Sequence, residues 1–150
     1  KYFENYLLSS RSKSRMKYIE RSGATRGILK QLRCGGAIAL LIDTNVNKKE
    51  AITVDSLGKP TSQIKTTAYF ARELNAALIP ALIHANDDET YTIKFYDEII
   101  PPKTDNEEED IRVSTQMQTD WLSAEILKAP EPWFWVHRRF KDDYPEVYKK

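Results

Sequence analysis

The feature that most narrows the folds open to this chain is a run of six apolar residues, Ala37-Ile38-Ala39-Leu40-Leu41-Ile42. It lies between Gly35-Gly36 and the polar Asp43-Thr44-Asn45. A short apolar run bounded by turn signals predicts a strand buried on both faces, as in parallel sheets. Ala77-Leu78-Ile79-Pro80-Ala81-Leu82-Ile83 reads the same way. Ahead of the first run, Ile28, Leu29 and Leu32 have helical spacing and predict a helix over Ala24 to Arg33, stopped by the glycines. Ile52-Thr53-Val54 suits a short strand, and Gly58-Lys59-Pro60 a turn. Ser62 to Asn75 reads as a helix, with Ile64, Ala68, Phe70, Ala71 and Leu74 on or near one face. Asn86 to Glu89 predicts a hairpin turn, with Tyr91 to Tyr96 returning as an alternating strand. After Pro101-Pro102, the acidic run Glu107 to Glu109 leads into a helix from about Asp110 to Lys128. This order, helix, strand, helix, strand, strand, helix, predicts an α/β domain with a mixed sheet.

Composition excludes several classes. At 150 residues the chain is long enough for one domain with a real core. Lys and Arg total 23 against 22 Asp and Glu, a net charge of +1, so no nucleic-acid partner is expected. Cys34 is the one cysteine, which rules out an internal disulfide and leaves it with a structural reading. The longest apolar run falls far short of the ~20 residues that span a bilayer. No signal peptide is visible, and the first residue is Lys1 rather than Met. The chain is therefore read as processed, truncated or cut from something longer.

Asp43 is the site candidate that physics alone selects. Ligands of open α/β sheets sit beyond the carboxyl ends of parallel strands, and Asp43 takes that place after the first apolar run. The competing reading is a loop aspartate that caps the next turn.

Four segments, in order, resemble one family: the lauroyl/myristoyl acyltransferases of lipid A biosynthesis. Pro130-Glu131-Pro132-Trp133-Phe134-Trp135-Val136-His137-Arg138-Arg139-Phe140-Lys141 looks like the family's ending "PEQWLWVHRRFK". Thr25 to Arg33, followed by a glycine and the apolar run ending in Asp43, is similar to its helix and "LKxGxxVxxxxDQ" block. Asp55-Ser56-Leu57-Gly58-Lys59-Pro60-Thr61 resembles the "FFGxPAxT" loop, without its two phenylalanines. Ala71 to Pro80 resembles "LARxTGAxVVP". The resemblance covers nearly the whole chain.

It implies the glycerolipid-acyltransferase-like α/β fold, a mixed sheet with flanking helices, with residues 1–150 as the C-terminal part of a single domain. It also implies transfer of a fatty acyl chain from acyl carrier protein to a hydroxyl of a lipid A precursor, at the cytoplasmic face of the Gram-negative inner membrane. No metal or organic cofactor is implied. The family's catalytic motif, a His followed after four residues by Asp or Glu, would lie upstream of Lys1, so this chain alone is expected to be inactive. Its His would act as general base on the acceptor hydroxyl. His84 with Glu89, and His137 with Asp142, have the same spacing here. Neither pair lies at the family position, and both are read as structural.

The resemblance assigns substrate contacts to five residues. Arg11 stands where the family keeps an arginine, suited to a phosphate or to an acyl oxyanion. Asp43 matches the "DQ" position, with Thr44 replacing the usual Gln. Gly58 and Thr61 match the loop ahead of the helix read from Ser62, whose N-terminus favours an anion. Arg138 belongs to the aromatic and basic ending. That ending suits a lipid surface, while its aromatics equally suit a core. The reading from another class is a non-catalytic α/β module holding anionic lipid or a protein partner.

Overall fold

The structure, a computed structural model, describes residues 2–13, 18–19 and 23–149. The side chains of Glu4, Leu7, Leu8, Arg11, Ser12 and Lys49 lie outside that description. Two compact units divide the chain, Lys1–Ala39 and Leu40–Lys150.

The first unit holds helices α1 (Tyr2–Ser12) and α2 (Ala24–Arg33). Helix α2 buries Ile28 and ends where the glycines predict. The Gly35 and Gly36 amides donate back to the Leu32 and Gln31 carbonyls, both at 3.0 Å, and Gly35 takes a φ of 73° that suits glycine. Gly27 packs on Ile19, where an added Cβ would lie 3.1 Å from the isoleucine Cγ2.

In the second unit a 3-10 turn, Lys48–Glu50, leads into hairpin β1 (Ala51–Ser56) and β2 (Lys59–Ile64). Leu57 and Gly58 connect them, with φ of 53° and 75°. Two positive φ values in a two-residue loop make a type I′ turn, whose twist matches that of the strands. Helix α3 (Thr66–Leu74) comes after β2 and buries Ala68, Phe70 and Ala71. Hairpin β3 (Ala81–Ala85) and β4 (Tyr91–Phe95) is next, pairing Ile83 with Ile93. Helix α4 (Glu107–Lys128) is the long element against which β1 and α3 pack. The Asn106 side chain accepts from the Glu109 amide at 3.2 Å, and four acidic residues fill the first turn. Both features stabilise a helix N-terminus.

The inner face of α4 carries Ile111, Leu122 and Ile126 interleaved with Asp110, Ser114, Thr115, Gln118 and Thr119. Its threonine hydroxyls return to their own helix: Thr115 Oγ1 donates to the Ile111 carbonyl at 2.7 Å, and Thr119 Oγ1 to the Thr115 carbonyl at 2.9 Å. Thr67 Oγ1 reaches Gln118 Oε1 at 2.6 Å. Arg72 Nε meets Asp110 Oδ2 at 3.0 Å, and Asp110 also accepts from the Thr104 amide and hydroxyl. These bonds satisfy the buried polar side chains of this face except Ser114 Oγ, which is buried without a hydrogen-bond partner.

Helices and strands alternate, as expected, but three sequence expectations are corrected. The mixed sheet is instead two separate two-stranded antiparallel sheets. Residues 37–42 form no strand or helix, and Leu41 is 76% exposed. A parallel strand takes its neighbours from distant parts of a chain, and among the described residues none pairs with this segment. The helix read from Ser62 starts at Thr66, because Ser62, Gln63 and Ile64 pair with Thr53, Ile52 and Ala51. Cross-strand pairing overrides the helical spacing there. The apolar segment from Ala77 enters its ladder only at Ala81.

Candidate functional site

Helix α4 stops at Lys128, and Pro130 and Pro132 bar its continuation. The chain then runs through a series of tight turns. The Trp133 amide donates to the Pro130 carbonyl, Trp135 to Trp133, His137 to Phe134, and Arg139 to His137. These turns bring His137, Arg139, Asp142 and Asp143 against two other segments: residues 42–45, and the middle of β2.

The contacts form one network. The Asn45 amide donates to His137 Nε2 at 2.9 Å, and Asn45 Nδ2 to Asp142 Oδ2 at 2.8 Å. Arg139 Nη1 donates to the Thr44 carbonyl at 2.7 Å, and its Nη2 to Gln63 Oε1. Gln63 Nε2 in turn donates to the Ile42 carbonyl at 2.8 Å. Asp143 receives the Ser62 amide and hydroxyl, each at 2.8 Å, with Lys48 Nζ 3.5 Å from its Oδ1. The backbone on both sides of Asp43 is thus held by side chains from β2 and from the chain's end.

Arg139 is 4% exposed. Burial pushes its pKa down, and the charges of Asp43 and Asp143 work against that shift. Asp43 Oδ1 is buried with no hydrogen-bond partner. A carboxylate oxygen is an acceptor only, so the group missing from it is a donor.

Of the expected site residues, Asp43 lies in the network. Thr61 is fully buried in β2, its Oγ1 on the Lys59 carbonyl at 3.0 Å, and Gly58 occupies the hairpin turn beside a groove of about 320 Å³ lined in part by Asp120, Ser123 and Leu127. The expectation that they lead into a helix N-terminus is corrected, since β2 separates them from α3 and Lys65 offers α3 no side-chain cap. Arg138 is exposed, 6.0 Å from the Tyr148 ring, while its neighbour Arg139 fills the network. The Arg11 backbone lies in α1, and its side chain lies outside the described residues.

The two His-acid pairs do not bond to each other. His84 Nε2 is 3.5 Å from the Tyr96 hydroxyl, and Glu89 sits exposed in the hairpin turn at a φ of 63°. His137 and Asp142 both bind Asn45. A backbone amide only donates, so the accepting lone pair of His137 is already used, and its ring lies parallel to that of Phe134. Sequence reasoning missed Asn45, Ser62, Gln63 and Asp143, and it left open whether Arg138 or Arg139 turns inward. The nearest available signal was the adjacent pair Asp142-Asp143 after two arginines, an unusual density of charge in a segment otherwise rich in aromatics.

Fold and site define an α/β protein built around an aspartate loop pinned by a buried arginine. The family rests on nearly the whole length: the model of bacterial lipid A biosynthesis acyltransferases matches residues 1–142, and the chain belongs to that family. No curated protein matches the chain. The matched span contains Asp43, Gln63, Arg139 and Asp142. Among the described residues, no helix is long and apolar enough to cross a membrane.

Proposed function

We propose that this chain is the C-terminal part of an acyltransferase domain that moves a fatty acyl group from acyl carrier protein to a hydroxyl of a lipid A precursor, at the cytoplasmic face of the inner membrane. The observation that carries the reading furthest is Asp43 Oδ1, buried and unpartnered in a loop pinned on both sides. A sugar hydroxyl or amide of the acceptor supplies the missing donor. Arg139 holds the backbone after Asp43, so the acceptor meets a fixed carboxyl oxygen.

The reaction is an ester-forming acyl transfer. A histidine base, expected upstream of Lys1, takes the acceptor proton. The oxygen attacks the thioester carbonyl, a tetrahedral oxyanion forms, and the carrier thiolate leaves as the ester carbonyl closes. Arg11 is assigned to an acceptor phosphate or to that oxyanion. Two features support the reading of a partial domain: the unpaired apolar segment 37–42, and the exposed Ile83, Tyr91, Ile93 and Phe95 of the second hairpin.

The test is transfer of radiolabelled acyl from acyl carrier protein to a lipid A precursor, by the full-length protein and by residues 1–150 alone. The full-length protein is expected to be active and the 150-residue chain inactive. Asp43→Asn in the full-length protein is expected to lose roughly 10- to 100-fold in kcat/KM, the range for one hydrogen bond to a charged group. Full activity of Asp43→Asn removes the acceptor role, and no transfer by the full-length protein leaves the non-catalytic reading.

A further inference from the structure

The turn segment after α4 exposes three large apolar side chains in a row. Phe134 is 67% exposed, Trp135 55% and Val136 82%. Exposed apolar side chains are common singly, but three adjacent ones on an ordered loop mark a contact surface. The loop is ordered by its own backbone turns and by the indole of Trp135, whose Nε1 donates to the Pro130 carbonyl at 2.7 Å. On its far side His137 and Arg139 are tied to Asn45 and Thr44. Little conformational entropy remains to be lost when this surface meets a partner.

Charge selects the partner. Arg138 and Lys141 follow the apolar triplet, both exposed, and neither forms an ion pair among the described residues, although Arg138 lies 6.0 Å from the Tyr148 ring. From Trp133 to Lys141 the loop itself carries no carboxylate; of its acidic neighbours, Asp143 is engaged on Ser62 and Lys48, and Asp142 on Asn45. A tryptophan and a phenylalanine followed by two exposed cations match a bilayer interface bearing negative head groups: rings at the boundary, cations on the phosphates.

The geometry points to Trp133–Lys141 as a docking loop for an anionic phospholipid bilayer, with Phe134, Trp135 and Val136 entering the head-group region and Arg138 and Lys141 pairing with phosphates. This extends the acyltransferase reading and rests on it for the presence of a membrane. It gives the chain a contact with lipid that involves no spanning helix. It also joins that contact to the site, because the same loop supplies the His137 and Arg139 bonds that hold the residues beside Asp43.

The test uses full-length protein in a Cys34→Ser background, with Val136→Cys carrying a polarity-sensitive nitrobenzoxadiazole dye. A second protein carries the dye at Asp87→Cys, in the hairpin turn. Vesicles are either phosphatidylcholine alone or equal parts phosphatidylcholine and phosphatidylglycerol. On anionic vesicles, emission at position 136 is expected to rise and shift to the blue, with position 87 unchanged and phosphatidylcholine giving little response. Arg138→Gln and Lys141→Gln are each expected to weaken partitioning about fivefold. An unchanged dye at 136 while the protein sediments with vesicles overturns the loop assignment, and an equal response on phosphatidylcholine overturns the charge argument. Acyl transfer measured in detergent micelles reads the enzymatic proposal separately. Transfer without insertion removes the loop and keeps the enzyme, whereas insertion without transfer does the reverse.

Discussion

The guanidinium of Arg139 donates to the carbonyl oxygen of Thr44 at 2.7 Å, across 95 positions of sequence. The bond sets the backbone immediately after Asp43. The other Nη of the same fork meets Gln63, which holds the backbone immediately before Asp43 through the Ile42 carbonyl. One buried side chain therefore spans the end of the chain, the hairpin and the aspartate loop.

Arg139→Lys is expected to keep the charge and lose the fork, since a single ammonium does not reproduce two directed bonds from a planar group. The cost is about 1–3 kcal/mol from the partner left unpaired. Arg139→Ala also strands the charge of Asp43 and is expected to cost about 3–5 kcal/mol. Urea unfolding of both variants measures this. A lysine variant as stable as the parent would show that the fork is not what holds the loop.

Asp143 binds Ser62 through both of its oxygens, to the amide and to the hydroxyl. Asp143→Asn keeps size and leaves one oxygen to accept, so a loss of about 1–2 kcal/mol is expected. Ser62→Ala removes only the hydroxyl bond, and the double variant is expected to cost less than the sum of the two, because they share a partner. A strictly additive double-mutant cycle would count against the coupling.

How much of the fold is legible in the sequence depends on how local each interaction is. The second hairpin was legible because its turn residues act within a few positions, and α4 because an acidic run marks a helix start, although that run forms the first turn and the helix begins at Glu107 rather than about Asp110. Asp43 stood out because an apolar run ends at it. Residues 37–42 read as a buried strand from composition alone, yet a parallel strand is completed only by partners far away in sequence. Ser62 to Ile64 shares helical spacing with the residues of α3, and cross-strand pairing claimed it instead. Arg138 and Arg139 are indistinguishable in a string of letters, and only the succession of tight turns decides which points inward. The buried Gln63 gave no signal, since a polar residue in a strand ordinarily faces solvent.

Leu57 occupies a left-handed conformation, φ 53°, in the type I′ turn before Gly58. A leucine Cβ is strained there, whereas asparagine tolerates it and is favoured at this turn position. Leu57→Asn is expected to stabilise the protein by about 1 kcal/mol. Gly58→Ala, at φ 75°, meets no atom within 4 Å and is destabilised by conformation alone, by a similar amount. Thermal unfolding of the two variants should move in opposite directions. A drop in Tm for Leu57→Asn would show that the leucine side chain contributes more at the neighbouring groove than its backbone strain costs.

Asp110 sets an acid limit on stability. Burial alone would raise its pKa, but the Thr104 amide, Arg72 and the Thr104 hydroxyl together hold it below the usual aspartate value of 3.8. A carboxyl whose folded pKa lies below its unfolded one binds protons more readily in the unfolded chain. Its stabilising contribution is complete above the unfolded value and is lost as pH falls through the folded one. Glu109, held down by Arg112, and Glu125, held down by Lys128 and the Tyr96 hydroxyl, act in the same direction. Asp110→Asn removes the titrating group. At neutral pH the parent is expected to unfold at a higher urea concentration than this variant. That gap should stay level down to about pH 4 and narrow below it, as the parent's carboxyl takes up its proton. Urea midpoints for both proteins from pH 7 to pH 2 decide it: a gap that stays constant into the acid range would mean that Asp110 contributes through packing and not through its charge.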